Sequence, residues 1–411
     1  MKVFFVSLGC PKNLTDSEVL MGKFTSSGHQ ITLNPKEADT IVVNTCAFLK
    51  AARDEAAAVI REMAKWKEKG RCRQLLVAGC LPEYLRKIGG AIHESPVRRI
   101  DGIIDSINLY ECGVPRIKAT QPWFAYVKIS EGCNNNCTYC LIPKIRGRLR
   151  HRKVRDILAE VKGLAKRGVK EIIYIAQDTT AYPYLARLLK LTAKIKGIRW
   201  IRLMYAHPGH LSQSTIKVMA EEKKIVKYID LPIQHSEDRI LRSMRRKYGR
   251  NTIEIQLKLL REMMPGIAIR TSVIVGFPGE TERDFENLKE FIKQAKFDRL
   301  GVFPYSREKG TKAFMMKGQV PEKVKRRRAC ELMKLQAGIS RKINAKLAGR
   351  TLEVLIEGRK GKDLVGRSFR DAPEIDGRVH VKNAKKVSLG EFIRAVISSS
   401  GRHDLFGKPA I

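Results

Sequence analysis

The segment Glu131–Cys140, EGCNNNCTYC, sets three cysteines four and then three positions apart, with three asparagines between the first two. It follows directly on FAYVKIS, residues 124–130, an apolar run that reads as a buried strand. The loop after a strand is where β/α enzymes carry their chemistry. A four-iron cluster is normally held by four thiolates, so Cys133, Cys137 and Cys140 suffice for three irons and leave the fourth open to a substrate or cofactor. Zinc is the competing reading. It needs a fourth protein ligand, for which His151 is the nearest candidate, and structural zinc favours paired C-x2-C knuckles, of which only CTYC is present. The asparagines keep the loop polar and turn-prone, and Tyr139 adds one aromatic beside the cysteines.

Outward from this loop, residues 119 to 347 alternate strand and helix patterns. FAYVKIS is followed by a helix from Val154 to about Arg167, then EIIYIAQ, a helix from about Tyr184, and IRWIRLMY. KYIDLPIQH, a helix after Arg250, IAIRTSVIVGFPGE, a helix from Glu282 and RLGVFPY complete about six β/α units, the pattern of a barrel or partial barrel. Residues 1–118 also alternate: KVFFVSLGC, a helix from Asp16, TIVVNTC, a helix from about Leu49 to Lys67, and QLLVAGC predict a parallel α/β sheet. Each of these strands ends in a cysteine. In a parallel sheet the carboxyl ends line one edge, so Cys10, Cys46 and Cys80 are expected to meet there. The plainer alternative is three small buried hydrophobes. From 348 to 411 short strands with glycine turns predict a small antiparallel β-barrel.

Eighty Lys and Arg against 42 Asp and Glu give a net charge of +38, which favours polyanionic partners such as nucleic acid or else marks a broadly solvated basic surface. The excess is densest at Lys312–Arg350, whose apolar spacing still reads as a helix with one buried face. No run of eighteen apolar residues occurs, so no membrane-spanning helix is expected. The N-terminus reads as a buried strand rather than a targeting peptide, and a cytoplasmic location is expected. Nine scattered cysteines do not form a disulfide scaffold for a chain of 411 residues. Cys72, Cys112 and Cys330 are read as incidental.

Cys-x3-Cys-x2-Cys with an aromatic before the last cysteine resembles the signature of the radical S-adenosylmethionine enzymes. The resemblance implies an open iron that binds S-adenosylmethionine, whose reductive cleavage yields a radical that abstracts hydrogen. It also implies cofactor contacts from Tyr139, from Gln177 and Asp178 in IAQDTT near the methionine moiety, and from Val275, Gly276 and Glu280 in SVIVGFPGE near the adenosine. With a second cysteine triad ahead and a small barrel behind, the whole chain resembles the methylthiotransferases, whose last domain is called TRAM. That family implies two 4Fe-4S clusters, the auxiliary one on Cys10, Cys46 and Cys80 carrying the sulfur to be methylated and delivered.

The branch resembled most modifies the β-carbon of an aspartate in the twelfth small-subunit ribosomal protein; another acts on tRNA adenosine. Three stretches carry the first resemblance: SLGCPKNLTDSE at Ser7–Glu18, IPKIRGRLRHR at Ile142–Arg152 and GRSFRDAPEIDG at Gly366–Gly377. The last, with its acidic residues, looks suited to recognising a protein surface. A non-catalytic iron–sulfur RNA-binding protein is a third reading. Arg202 and Arg270 are candidate partners for a substrate carboxylate, or for an internal one. The resemblance further implies a sulfur donor, a reductant of ferredoxin or flavodoxin type and contact with ribosomal RNA; a monomer is the default.

Overall fold

The computed structural model describes residues 1–89, 100–105, 115–382 and 387–410; Cys112 lies outside them. The first sheet contains β1 (Lys2–Ser7), β2 (Gln30–Thr32), β3 (Thr40–Thr45), β4 (Gln74–Gly79) and β5 (Gly102–Ile104), all parallel, in the order β2-β1-β3-β4-β5. Every residue of β3 is buried because both faces are covered. Ile41 and Val43 pack with Ala56 and Ile60 of the helix Lys50–Ala64, while Val42 packs with Val19 and Leu20 of the helix Pro11–Ser26. That latter helix starts at Pro11 rather than Asp16, since proline at the first turn loses no hydrogen bond.

In the second unit β6 (Phe124–Lys128) runs into β7 (Ser130–Glu131), which pairs antiparallel with β8 (Arg150–His151) and so brackets the cysteine loop. The sheet continues with β9 (Glu171–Ile175), β10 (Trp200–Leu203), β11 (Ile225–Asp230), β12 (Ala268–Val275) and β13 (Arg299–Pro304). Its six parallel strands lie in the order β13-β12-β11-β10-β9-β6, an open partial barrel. The helices Val154–Lys166, Leu185–Ala193, Gln213–Glu221, Arg250–Met263 and Glu282–Ala295 belong to this unit. Ile157, Leu188, Ile216, Leu257 and Leu288 from these helices share one buried core with Val127, Ile172, Ile201, Ile229 and Ile269 of the sheet.

β14 (Thr351–Lys360), β15 (Asp363–Ser368), β16 (Val379–Val381), β17 (Phe392–Ser400) and β18 (Leu405–Pro409) close into a barrel in the order β14-β15-β16-β18-β17. Its connection to the central unit corrects one expectation and decides between two alternatives for Arg202 and Arg270. Most of Gly366–Gly377 is not surface: it packs against the inner face of the open sheet, with Ala372 in a core with Tyr126, Ile173, Met204 and Tyr228, and only Glu374 and Ile375 are exposed. Three of its charges are paired internally, Arg367 on Glu171 at 2.7 Å, Asp371 on Arg299 at 2.8 Å and Asp376 on Arg270 at 2.8 Å. Arg202 is likewise held by Glu171 at 2.7 Å and the Phe369 carbonyl at 2.9 Å, so both Arg202 and Arg270 serve the docking of this segment rather than a substrate carboxylate.

The basic run Lys325–Arg328 lies on the helix Glu322–Ala345 and is ion-paired, with Lys325 and Arg326 on Glu322, Arg327 on Glu282 and Glu331, and Arg328 on Glu280 and Glu282.

Candidate active site

Three cysteines follow glycines in left-handed conformations, which place the thiol at a sharp turn off the strand end. Gly9 has φ +88°, and a Cβ there would sit 2.6 Å from Cys46 Cβ; at Gly79, φ +91°, it would sit 2.3 Å from Asn44 Oδ1. At Gly132, φ +74°, it would meet the Arg148 carbonyl at 2.3 Å. Asn13 ties the first two strand ends together, donating through Nδ2 to the Leu8 carbonyl at 3.0 Å and the Thr45 carbonyl at 2.8 Å. The sequence places Gly before Cys10, Cys80 and Cys133 for these steric reasons.

Both triads open on one cavity of about 340 Å³, lined by Cys10, Cys46 and Cys80 on one side and Cys133, Cys137 and Cys140 on the other. Several of the sulfurs already receive donors. Asn135 N lies 3.3 Å from Cys133 Sγ, Ile142 N 3.4 Å from Cys140 Sγ and Arg246 Nη1 3.4 Å from Cys137 Sγ. Arg146 Nε donates to Cys80 Sγ at 3.2 Å. Burial pushes the Cys80 thiol up to about 11, with Arg146 opposing it, and the Cys140 thiol up to about 12, with Cys137 adding to the effect. Burial also raises Cys46 and Cys133. Thiols so buried become thiolates only against a strong cation or metal.

Residues 2–95 match an uncharacterized protein family, UPF0004, residues 127–292 match the radical SAM superfamily and residues 348–409 match the TRAM domain. The ribosomal protein uS12 methylthiotransferase RimO of Elusimicrobium minutum (strain Pei191) is 43% identical to this chain, covering 99% of both. That of Pelotomaculum thermopropionicum is 42% identical over 100% of both. The chain belongs to the RimO methylthiotransferase family. Among solved structures, the radical S-adenosylmethionine methyltransferase TsrM of Kitasatospora setae shares the fold, with a TM-score of 0.55 at 12% identity over 76% of each chain. As a radical S-adenosylmethionine transferase, this RimO-family chain uses a 4Fe-4S cluster and S-adenosylmethionine.

In this RimO-family cavity the structure places Tyr139, Gln177 and Asp178 on the lining. Asp178 accepts from Asn135 Nδ2 at 2.9 Å and pairs with His210 Nδ1 at 2.7 Å. Burial raises the Asp178 carboxyl, but the hydrogen bond with His210 leads the effects that more than offset this and hold it below its usual range. Val275, Gly276 and Glu280 are not on that lining. Glu280 instead closes the turn after β12, accepting from Gly276 N at 2.5 Å and Phe277 N at 3.1 Å and pairing with Arg328 at 3.0 Å. Burial pushes it up to about 7. His151 sits apart, on Ser130 Oγ at 2.9 Å, and does not join the cysteine loop as a fourth ligand. Cys72 donates to the Gln74 carbonyl at 3.3 Å, and Cys330 is exposed.

Sequence reasoning missed Lys12, Arg146, Tyr205, His207 and Arg246, all on the lining. Lys12 and Arg146 stood inside the quoted motifs; their signal was a cation beside a cysteine turn. No comparable spacing marks Tyr205, His207 or Arg246.

Proposed function

We propose that this chain adds a methylthio group to the β-carbon of an aspartate in the small-subunit ribosomal protein uS12. The observation that carries the reading is that two three-cysteine sets, each without a fourth protein thiol among the described residues, line the same cavity. Three thiols receiving amide or guanidinium donors fit a 4Fe-4S cluster with one open iron. Cys133, Cys137 and Cys140 would hold the cluster that takes S-adenosylmethionine, and Cys10, Cys46 and Cys80 an auxiliary one. When bound, these groups supply hydrogen abstraction and the methylthio group.

The chain's own residues prepare the cavity. Arg146 and Arg246 set positive charge against one sulfur of each triad, at 3.2 and 3.4 Å. Asp178 holds Asn135, whose backbone amide donates to Cys133 Sγ, and so fixes the cysteine loop. His207 is kept neutral, burial and Arg246 bringing it down to about 3. We infer the domains 1–118, 119–347 and 348–411, the last a TRAM-like unit contacting ribosomal RNA near the substrate, consistent with a net charge of +38. A cytoplasmic monomer, a reductant of ferredoxin or flavodoxin type and a separate sulfur donor complete the proposal. Among the described residues no helix is long and apolar enough to cross a membrane.

The two triads are tested separately. Cys137→Ala is expected to abolish reductive cleavage of S-adenosylmethionine, read as deoxyadenosine release. Cys46→Ala is expected to retain cleavage and lose the methylthio product. Normal product from Cys46→Ala contradicts the assignment of the second triad.

A further inference from the structure

Three cations line the central cavity: Lys12, Arg146 and Arg246. Two have protein partners. Arg146 is engaged by Asp16 at 2.8 Å, Glu131 at 3.2 Å and Cys80 Sγ, and Arg246 by Tyr248 Oη at 2.8 Å and Cys137 Sγ. Lys12 differs. It is 7% exposed, and its ammonium has neither a hydrogen bond nor an ion pair among the described residues. It lies 3.3 Å from the centre of the Tyr205 ring. Tyr205 is itself held in the left-handed region, φ 60°, with its amide donating to Asp230 Oδ2 at 3.1 Å. A tyrosine occupies that conformation only where its surroundings impose it, and here the effect is to set a ring against the ammonium.

An unpaired buried ammonium is strongly unfavourable unless an anion completes it. Cys10 and Asp230 act on Lys12 through space, but among the described residues neither hydrogen-bonds its ammonium, and Cys80 Sγ is already served by Arg146. We propose that Lys12 receives the carboxylate of the substrate side chain and makes the cavity selective for an acidic residue. This rests on the reading that the substrate is an aspartate. A β-carbon presented to this cavity brings its carboxylate one bond away, stripped of water, and that carboxylate needs a cation of fixed position. Cation–π contact with Tyr205 restrains Lys12 without neutralising it. Pro11 at the first turn of the helix Pro11–Ser26 fixes the backbone from which Lys12 projects.

The test uses the anaerobically reconstituted full chain and two uS12 peptides spanning the target, one with aspartate and one with asparagine at that position. Dissociation constants are measured by fluorescence anisotropy for the unsubstituted protein, Lys12→Met and Lys12→Gln, with iron content measured on each. The unsubstituted protein is expected to favour the aspartate peptide by about tenfold or more, the scale of a hydrogen bond to a charged group. In both variants the two peptides are expected to bind within about twofold of each other. A structural role for Lys12 would lower both affinities and leave their ratio intact, and a retained ratio in either iron-loaded variant overturns the inference. Equal binding of the two peptides by the unsubstituted protein overturns it without any variant. Methylthiolation of uS12 alongside either result leaves the proposed function standing; no methylthiolation of uS12 by the unsubstituted protein removes that function and this inference with it.

Discussion

Replacing Arg146 with methionine should destabilise the junction between the two cysteine-bearing units even before any metal is loaded. Arg146 and Lys128 face Asp16 and Glu131 in a two-cation, two-anion cluster whose side chains are 1%, 1%, 0% and 9% exposed. Asp16 belongs to the first unit, and Lys128, Glu131 and Arg146 to the second. Without Arg146 two buried carboxylates share one ammonium. Removing one partner from a buried ion pair costs about 3–5 kcal/mol. The cluster as a whole has the same scale: although burial opposes it, Lys128 and then Arg146 hold the Glu131 carboxyl down to about 2 from an ordinary 4.5, on the order of 3 kcal/mol shared between the two cations. In a unit of about 150–250 residues each kcal/mol moves Tm by about 2–4 °C, so the iron-free variant should melt on the order of 10 °C lower. The assay is thermal unfolding of the iron-free chain by circular dichroism. Adding Glu131→Gln to Arg146→Met should recover part of the loss, because the surplus charge is then gone. A fall of less than about 2 °C, or no recovery in the double variant, refutes the reasoning.

The docking of the last barrel rests heavily on Asp376, which accepts from Arg270 Nη1 at 2.8 Å, Tyr228 Oη at 2.7 Å and Ala372 N at 2.9 Å. Asp376→Ala leaves Arg270 with Asp230 at 3.7 Å; a loss of about 3–5 kcal/mol should appear as faster protease release of the C-terminal barrel, and unchanged cleavage would contradict that docking role. His207, held down to about 3 by burial and then by Arg246, stays neutral in the fold while the unfolded chain titrates near 6.5. The unfolded state therefore takes the proton first, and stability falls as pH drops below 6.5, by about 2 kcal/mol at pH 5. His207→Gln should show a smaller shift of urea midpoint between pH 7 and pH 5 than the unsubstituted chain; an equal shift would remove His207 as its source.

What the sequence made legible was mostly local. The strand-then-cysteine pattern at Cys10, Cys46 and Cys80 and the three-cysteine loop needed only strand periodicity and spacing, and the structure brings all six thiols to one cavity. The strands of the central unit were legible as long apolar runs, whereas β2 and β5, three residues each, carry too few positions for a pattern, and β18 shows no apolar alternation. Most of Gly366–Gly377 was misread as a surface because its partners are remote. Arg367 meets Glu171 across 196 residues and Asp376 meets Arg270 across 106, separations at which charge in the sequence says nothing about pairing. For Arg202 and Arg270 the sequence offered both a substrate carboxylate and an internal one, and the same remoteness kept it from naming Glu171 and Asp376 as the internal partners. Glu280 lay one turn beyond a strand end and was assigned to a cofactor, yet its carboxylate caps the backbone of its own turn. Lys12 was visible in CPKN, but its lack of a partner is a property of the folded cavity alone.

The central claim is that the two triads act together on uS12. The most direct test is to reconstitute the chain anaerobically with iron and sulfide, supply reductant and S-adenosylmethionine, and offer small ribosomal subunits and tRNA in separate reactions. Mass spectrometry should find a methylthio addition on an aspartate of uS12 and none on tRNA. A methylthio group on a tRNA adenosine, with uS12 unmodified, would contradict the account and make the net charge of +38 the better guide to the substrate.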